Sequence, residues 1–443
     1  MKRFIIEQSD TEFYTSHSGL ALIGLCLNRY ASLSKAIDTA IPLRHGIAHS
    51  DVLKSYLGQL CLGKSDFEAV EAVREDRYFK EALAIQQVPS SARLRQRLDA
   101  NASALLPVLY ETSIAFLQGA QVPVSTLATG HVALDIDVFP MDNSRTRKEG
   151  VSRTYKGHDG YAPIAAYLGQ EGWCLACELR EGKQHCQNEF LYTLERVLPN
   201  AKRLTDARLL VRLDSGHDAQ DTRNALLEAD VDYLLKWNPR RHDPAAWLAA
   251  ANTHDCWITP RDGKRVATFS RIIPQHVNGQ DVGLRRVMQV TERTIDKHGQ
   301  CLLLPEISVE GWWTTLDEST YDDAVVIALY KDHATSEQFH SEFKTDLDLE
   351  RLPSGKFDTN DLIMTLAAMS YNMLRWIGLI GLTGEISPVR HPAKRRRLKT
   401  VIQELMYRAA RLIATGRRLK LRFSRHCAGY RAFDGVYQRL VDG

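Results

Sequence analysis

The sequence predicts an α/β fold: a mixed five-stranded sheet flanked by helices, interrupted by a β-rich insertion, with helical N-terminal and basic C-terminal regions. Three observations carry this prediction. From HVALDIDVF (131–139) onward the elements read β-β-β-α-β-α-β. Between about 238 and 323, short apolar runs (CWITP, RVATFSRII, RRVMQVTERTI, CLLLPEI) alternate with turn residues, which is a β-rich signature. The charge is also lopsided. The 443-residue chain has a formal net charge of +3, yet residues 390–443 hold 15 Lys/Arg against 3 Asp/Glu, leaving 42 against 51 elsewhere. Such asymmetry points to an anionic partner at one end.

Composition excludes several classes. With 44% hydrophobic and 25% charged residues the chain is ordinary globular material, neither collagenous nor disordered. The N-terminal MKRFIIEQSDTEF lacks the apolar core and cleavage site of a signal peptide. Residues 362–382 are apolar and long enough to span a membrane. Asn372 and Arg375 sit in the middle of that run and would be costly in lipid, so a buried core helix is expected. Eight scattered cysteines fit a reducing cytoplasm rather than a disulfide framework. Cys174 and Cys177 form a CxxC with His185 and Cys186 nearby, which could be read as zinc-binding. In the strand WCLACELR, however, residues three apart point to opposite faces, and no second CxxC follows, so buried thiols are expected.

Taken in order, residues 1–125 read as a helical region. Pro89-Ser90-Ser91 looks like a helix start, followed by Arg93, Arg95 and Arg97, which suit either phosphate contact or a solvated face. HVALDIDVF alternates at strand period, with Val132, Leu134, Ile136 and Val138 on one face and Ala133, Asp135 and Asp137 on the other. GYAPIAAYLG and WCLACELR are two further strands, NEFLYTLERVLP a helix, ARLLVRLDSG a strand, AQDTRNALLEADV a helix and DYLLKW a strand. That order is the order of the ribonuclease H fold, in which the first and fourth strands lie side by side at the sheet centre. The resulting organisation is 1–125 helical, 126–237 the first part of the core, 238–325 the β-rich insertion, 326–389 the second part of the core, and 390–443 the basic helical region.

Acids mark the ends of two of these strands: Asp135 and Asp137 on the first, Asp214 on the fourth. If the strands are neighbours, their carboxylates converge and repel unless neutralised. Hard divalent cations such as Mg²⁺ prefer oxygen ligands and leave positions open for phosphate. A third acid comes from the segment 330–344, expected to begin at a strand end and enter a helix capped by Thr335 or Ser336. Glu337 and Lys344 are seven residues apart, so they share a helix face, whereas Glu342 lies about 140° round from Glu337.

Tyr330-x2-His333-x3-Glu337-x6-Lys344 resembles the Tyr-x2-Arg-x3-Glu-x6-Lys signature of bacterial insertion-sequence DDE transposases. EQFHSEFKTDLDLERLPSGKFDTN, LDID, GYAPIAAYL, ELREGKQH, RLDSGHD and the tail KRRRLKTVIQELMYRAARLIATGRRLKLRF resemble the insertion sequence 1380 family of that group, across nearly the whole chain. The resemblance implies a ribonuclease H-like core interrupted by a β-rich insertion before the final Glu. It implies that Asp137, Asp214 and Glu337 hold two Mg²⁺ ions (Mn²⁺ could substitute), with Asp135 the alternative first Asp. It further implies that Tyr330 and Lys344 hold DNA near the cut. His333 departs from the signature Arg, and a neutral imidazole cannot make a bidentate phosphate contact. Trp312 and Trp313 are candidates for stacking on a base pulled from the duplex, as is Trp257; the alternative is a hydrophobic anchor. The implied activity is binding of terminal inverted repeats, with 1–125 as a DNA-binding region, hydrolysis at the element ends and joining of 3′-hydroxyls to target DNA; the alternatives are a ribonuclease H-fold nuclease without strand transfer and a catalytically inactive DNA-binding derivative. The implied setting is a bacterial cytoplasm, with a homodimer in a synaptic complex.

In the tail, Lys394, Arg395, Arg396, Arg397 and Lys399 form one basic cluster. Arg408, Arg411, Arg417, Arg418, Lys420, Arg422 and Arg425 continue it. At helical spacing Arg408, Arg411 and Arg418 share one stripe and Leu405, Leu412 and Leu419 another, so a basic helix on DNA phosphate is expected.

Overall fold

The computed structural model of the protein describes residues 3–240, 242–277, 280–416 and 418–442. A two-residue strand, β1 (Tyr14–Thr15), precedes five helices: α1 (Leu20–Cys26), α2 (Leu33–Ala40), α3 (His49–Cys61), α4 (Arg77–Leu83) and α5 (Ser91–Gly119). The Pro-Ser-Ser signal does start a helix. The Ser90 hydroxyl caps α5, accepting from the Arg93 amide at 3.2 Å. Of the arginines in its first turns, Arg95 pairs with Glu68 at 3.5 Å and Arg97 approaches His49 at 3.4 Å.

The sheet begins with β2 (Val132–Val138). A small sheet of β3 (Met141–Asp142), β4 (Ser152–Arg153) and β5 (Asp159–Tyr161) follows its end. Then come β6 (Ile164–Leu168), β7 (Trp173–Glu178), α6 (Phe190–Leu204), β8 (Leu209–Leu213), α7 (Gln220–Glu228) and β9 (Asp232–Lys236). β2 pairs antiparallel with β6 and parallel with β8, so the first and fourth main strands are neighbours, as the element order predicts. The alternation along β2 does not separate a wet face from a dry one. Asp135 is as buried as Leu134, because Arg212 and the His333 segment cover its side.

After α8 (Pro244–His254), the turn-punctuated apolar runs form an antiparallel meander of β10 (Trp257–Arg261), β11 (Lys264–Val277), β12 (Gln280–Ile295) and β13 (Cys301–Thr314). The meander is continuous with the sheet. Trp312, Trp313 and Thr314 pair with Lys236, Leu235 and Leu234 of β9. One nine-stranded mixed sheet results, in the order β10-β11-β12-β13-β9-β8-β2-β6-β7.

Two segments differ from the sequence reading. The residues before Glu337, expected as a strand end, form α9 (Asp323–Lys331). The Asp322 carboxylate caps this helix by accepting from the Val325 amide at 2.8 Å, and Val326, Ile327 and Leu329 are buried. A 3₁₀ turn (Asp332–Thr335) leads into α10 (Ser336–Ser341), which widens into a π-helical turn over Glu342–Asp346. The second difference lies in the basic tail. After α11 (Phe357–Leu382) and α12 (Leu398–Val401), it forms a hairpin of β14 (Ala410–Thr415) and β15 (Arg418–Phe423), then α13 (Tyr430–Asp442). RLKLRF alternates at period two, a strand pattern, and Gly416 supplies a turn conformation at φ +57°. Arg417 lies outside the described residues.

α11 is a core helix, buried along most of its length against α5 and β7. Two polar residues in its middle find partners inside the protein. Asn372 bonds both the amide and the carbonyl of Cys174, at 2.9 and 2.8 Å, on the edge strand β7. Arg375 pairs with Glu342 and donates to the Arg396 carbonyl and the Tyr371 hydroxyl, both at 2.8 Å. Cys174 and Cys177 are buried thiols, both pushed up by burial.

Arg375→Met would strand the fully buried Glu342 carboxylate. The expected loss is about 3–5 kcal/mol, read as a shift of the urea unfolding curve. The Glu342→Met/Arg375→Met double variant is expected to recover most of that loss, since both buried charges go together.

Candidate active site

Parallel pairing of β2 and β8 puts Ile136 beside Leu213, so the next residues, Asp137 and Asp214, emerge side by side at the strand ends. They line one cleft of about 670 Å³ with Tyr330, His333, Glu337 and Lys344. The expected acids therefore share one opening, although they reach it from β2, the end of β8 and α10. Among the described residues no three His, Cys, Asp or Glu side chains close into a ready-made metal cage.

Asp135 and Asp137, two residues apart on β2, have opposite environments. Asp135 is fully enclosed. Arg212 grips both its carboxylate oxygens, at 2.6 and 2.7 Å, and the His333 Nδ1 lies 3.1 Å away. Burial alone would raise this carboxyl, but Arg212 and His333 together outweigh it and hold it at about 2. The Asp135 charge is thus already neutralised by protein, which removes it as an alternative first metal ligand. Asp137 has no such cation. Burial first, then the neighbouring Asp214, pushes its carboxyl up to about 7. An acid pair with oxygen donors, no arginine or lysine partner and open space beside it fits a hard divalent cation. Mg²⁺ commonly uses only one or two carboxylates, leaving the rest of its shell to water and phosphate, so the open arrangement also fits.

Several groups around the acids escaped sequence reading. His217 is buried three residues after Asp214, with its Nε2 3.7 Å from the Asp214 carboxylate. It packs on Phe190, and burial lowers it to about 4, so it is a neutral ring. His340 stacks on Phe139 with its Nδ1 4.0 Å from Asp137, and burial lowers it to about 3. His333 goes the other way: burial opposes its charge, but Asp135 raises it. The residue that departs from the signature Arg is therefore a close partner of a buried acid. Arg212 carried no sequence signal beyond being a cation inside an apolar strand.

The predicted DNA-contacting residues divide. Tyr330 lines the cleft, 5.8 Å from the His333 ring and 6.0 Å from Trp312. Lys344 lines it too, donating to the Pro140 carbonyl and lying 3.6 Å from Glu350. Trp312 and Trp313 do not present free rings. Both are buried where β13 joins β9, and Trp313 is sandwiched by Arg223 and Arg286. They anchor the meander, which corrects their assignment to base stacking. Trp257, less buried, has Arg265 over its ring at 4.2 Å.

The basic cluster is largely turned inward. Arg396 is buried, donating to the carbonyls of Leu382 at 2.7 Å and Val389 at 3.2 Å. Arg397 pairs with Asp346 at 2.9 Å and bonds Ser341 at 2.8 Å. Arg395 reaches Gln338 at 2.9 Å and covers Phe339. Arg395 and Arg397 strap the helix that carries Glu337 and the turn after it. Only Lys394 and Lys399 of the cluster are exposed.

Fold and cleft together define an α/β protein with an acid-lined opening at the ends of two central parallel strands. The sequence matches the model of the transposase DDE domain group 1 over residues 5–442, so the chain belongs to that family. No curated protein matches the chain. Among solved structures it is similar to a piggyBac transposase in a cryo-EM synaptic complex with hairpin DNA. The identity is 10% and the TM-score 0.42, covering 88% of this chain and 80% of that one.

Two predictions separate these roles. In EDTA, Asp135→Asn is expected to lower stability by about 3–5 kcal/mol, since Arg212 loses its buried partner. Asp137→Asn is expected to raise the melting temperature, since it removes one of two uncompensated acids. Trp312→Ala is expected to cost about 3–5 kcal/mol in unfolding free energy, the scale for emptying a buried aromatic site. Trp257→Ala in the same assay is expected to cost far less.

Proposed function

We propose that this DDE transposase family member acts on the ends of an insertion sequence, with a ribonuclease H-like core of the insertion sequence 1380 type. It binds terminal inverted repeats, hydrolyses phosphodiester bonds there and joins the freed 3′-hydroxyls to target DNA. The observation that carries this reading is the unneutralised Asp137/Asp214 pair at adjacent parallel strand ends, with Glu337 on the same cleft.

Asp137, Asp214 and Glu337 would hold two Mg²⁺ ions, or Mn²⁺ in their place, which supply Lewis-acid stabilisation of charge on the attacking and leaving oxygens. The rest falls to the chain. Tyr330 and Lys344 position the phosphodiester in the cleft, and Lys344 is steered there by the Pro140 carbonyl. His217 and His340, kept neutral by burial, back the two aspartates without adding a competing cation. In each step an oxygen nucleophile attacks phosphorus and the bond on the opposite side breaks, so catalysis rests on orientation and charge stabilisation. Exposed Lys394 and Lys399 beside the Glu337 helix continue a phosphate path, with two copies of the chain working in one synaptic complex in a bacterial cytoplasm.

His333 supports a second reading. Held against Asp135, its ring contributes less to phosphate than the signature Arg would, which suits a nuclease without strand transfer.

The test is Mg²⁺-dependent nicking of a duplex carrying the element's inverted repeat. Asp214→Asn and Glu337→Gln are each expected to reduce nicking by at least about 10²-fold, the scale of losing one electrostatic stabilising group. Unchanged nicking in both would remove the triad. Pre-cleaved ends with free 3′-hydroxyls are expected to join target DNA; cutting without joining would favour the nuclease.

A further inference from the structure

One cationic surface is formed by residues that do not line the acid cleft. In the β14–β15 hairpin, Arg411 is directly opposite Arg422, Ile413 opposite Lys420 and Thr415 opposite Arg418. Directly opposed residues share a face, so Arg411, Arg418, Lys420 and Arg422 all project from one side, and all four are exposed. The other side carries Ala410, Leu412, Leu419, Leu421 and Phe423. There Leu421 and Phe423 pack against the main core, with Phe423 4.8 Å from the Phe433 ring. The ribbon is therefore held by its apolar face and offers the cationic one.

Two facts make this more than a solvated surface. The stretch 405–433 contains no Asp or Glu, and among the described residues none of the four cations is in an ion pair, whereas nearby Arg408 is spent on Glu404. The Arg411/Arg422 register also places like charges directly across from each other, an unfavourable cross-strand arrangement in the isolated protein. A polyanion lying along the ribbon relieves that repulsion.

We propose that the β14–β15 ribbon is a double-stranded DNA contact separate from the acid cleft, its cationic face lying on backbone phosphates. Side chains alternate along β15 at about 3.3 Å per residue, so Arg418, Lys420 and Arg422 present three charges over about 13 Å. This rests on the transposase reading, which supplies the polyanion. The ribbon, rather than the inward-turned arginines of 394–399, then provides much of the salt-dependent affinity.

The test is fluorescence anisotropy of the full chain on a labelled duplex, without divalent metal, across a KCl series. Each phosphate contact steepens the log K against log salt slope by about 0.9, so Arg418→Gln/Lys420→Gln/Arg422→Gln is expected to flatten it by about 2.7. Arg418→Lys/Arg422→Lys is expected to keep the parent slope. The triple variant is expected to melt no lower than the parent, because repulsion is removed; if it does not fold, each single Gln variant is expected to flatten the slope by about 0.9. A parent slope retained by the Gln variants overturns the proposal. So does self-association with an unchanged slope, which would make the charges edge-strand protection. Absence of DNA binding by the parent chain would instead overturn the transposase reading.

Discussion

One guanidinium sets the geometry of the centre. Arg212 on β8 holds Asp135 on β2 through both carboxylate oxygens and donates to the Leu329 carbonyl at the end of α9 at 2.7 Å. His333, just past that helix, closes on the same carboxylate. Two central strands and the segment leading to Glu337 are thus fixed to each other by one enclosed charge network. Such a network is tolerated in a dry interior only when its members satisfy one another, so it holds position as well as charge. Asp137, Asp214 and Glu337 inherit their relative placement from it.

The network also explains how two acids on one short strand acquire different characters. Asp135 is matched internally and serves structure. Asp137 faces the cleft with Asp214 and no arginine or lysine partner, so burial and its neighbour push its carboxyl up where that of Asp135 is held down. A second brace acts from outside: Arg395 and Arg397 fasten α10 and its π-turn, while Arg375 and Glu342 fix the same turn from within. Two cations of the tail are therefore used in holding the helix that carries one of the cleft acids.

Strand order, helix starts and the acid-bearing strand ends were legible in the sequence because each has a local signature. HVALDIDVF has strand period, Ser90 has the residue type of a cap, and Asn372 and Arg375 announced a buried helix by being too costly for lipid. The choice between Asp135 and Asp137 was not legible. It depends on Arg212, 77 residues away, whose side chain direction is set only when β2 and β8 pair. The same holds for His217 and His340, whose burial arises from packing on Phe190 and Phe139. The basic tail misled for a different reason. Leu405, Leu412 and Leu419 keep heptad spacing by chance of numbering, while the decisive signal was the two-residue alternation of RLKLRF ending a chain reversal at Gly416.

The nine-stranded sheet ends at β7 and β10, and each end is shut by a different device. Along β7, Asp361 takes the Leu179 amide at 2.8 Å and Asn372 takes both polar groups of Cys174, so α11 occupies the positions that another strand would use. At the far border β10 is short and exposed, and it carries Pro260 and Arg261, which discourage lateral pairing. Neither of these two end strands can readily recruit a neighbouring molecule by strand addition, so lateral growth through the ends of the sheet, which a sheet of this width otherwise invites, is opposed.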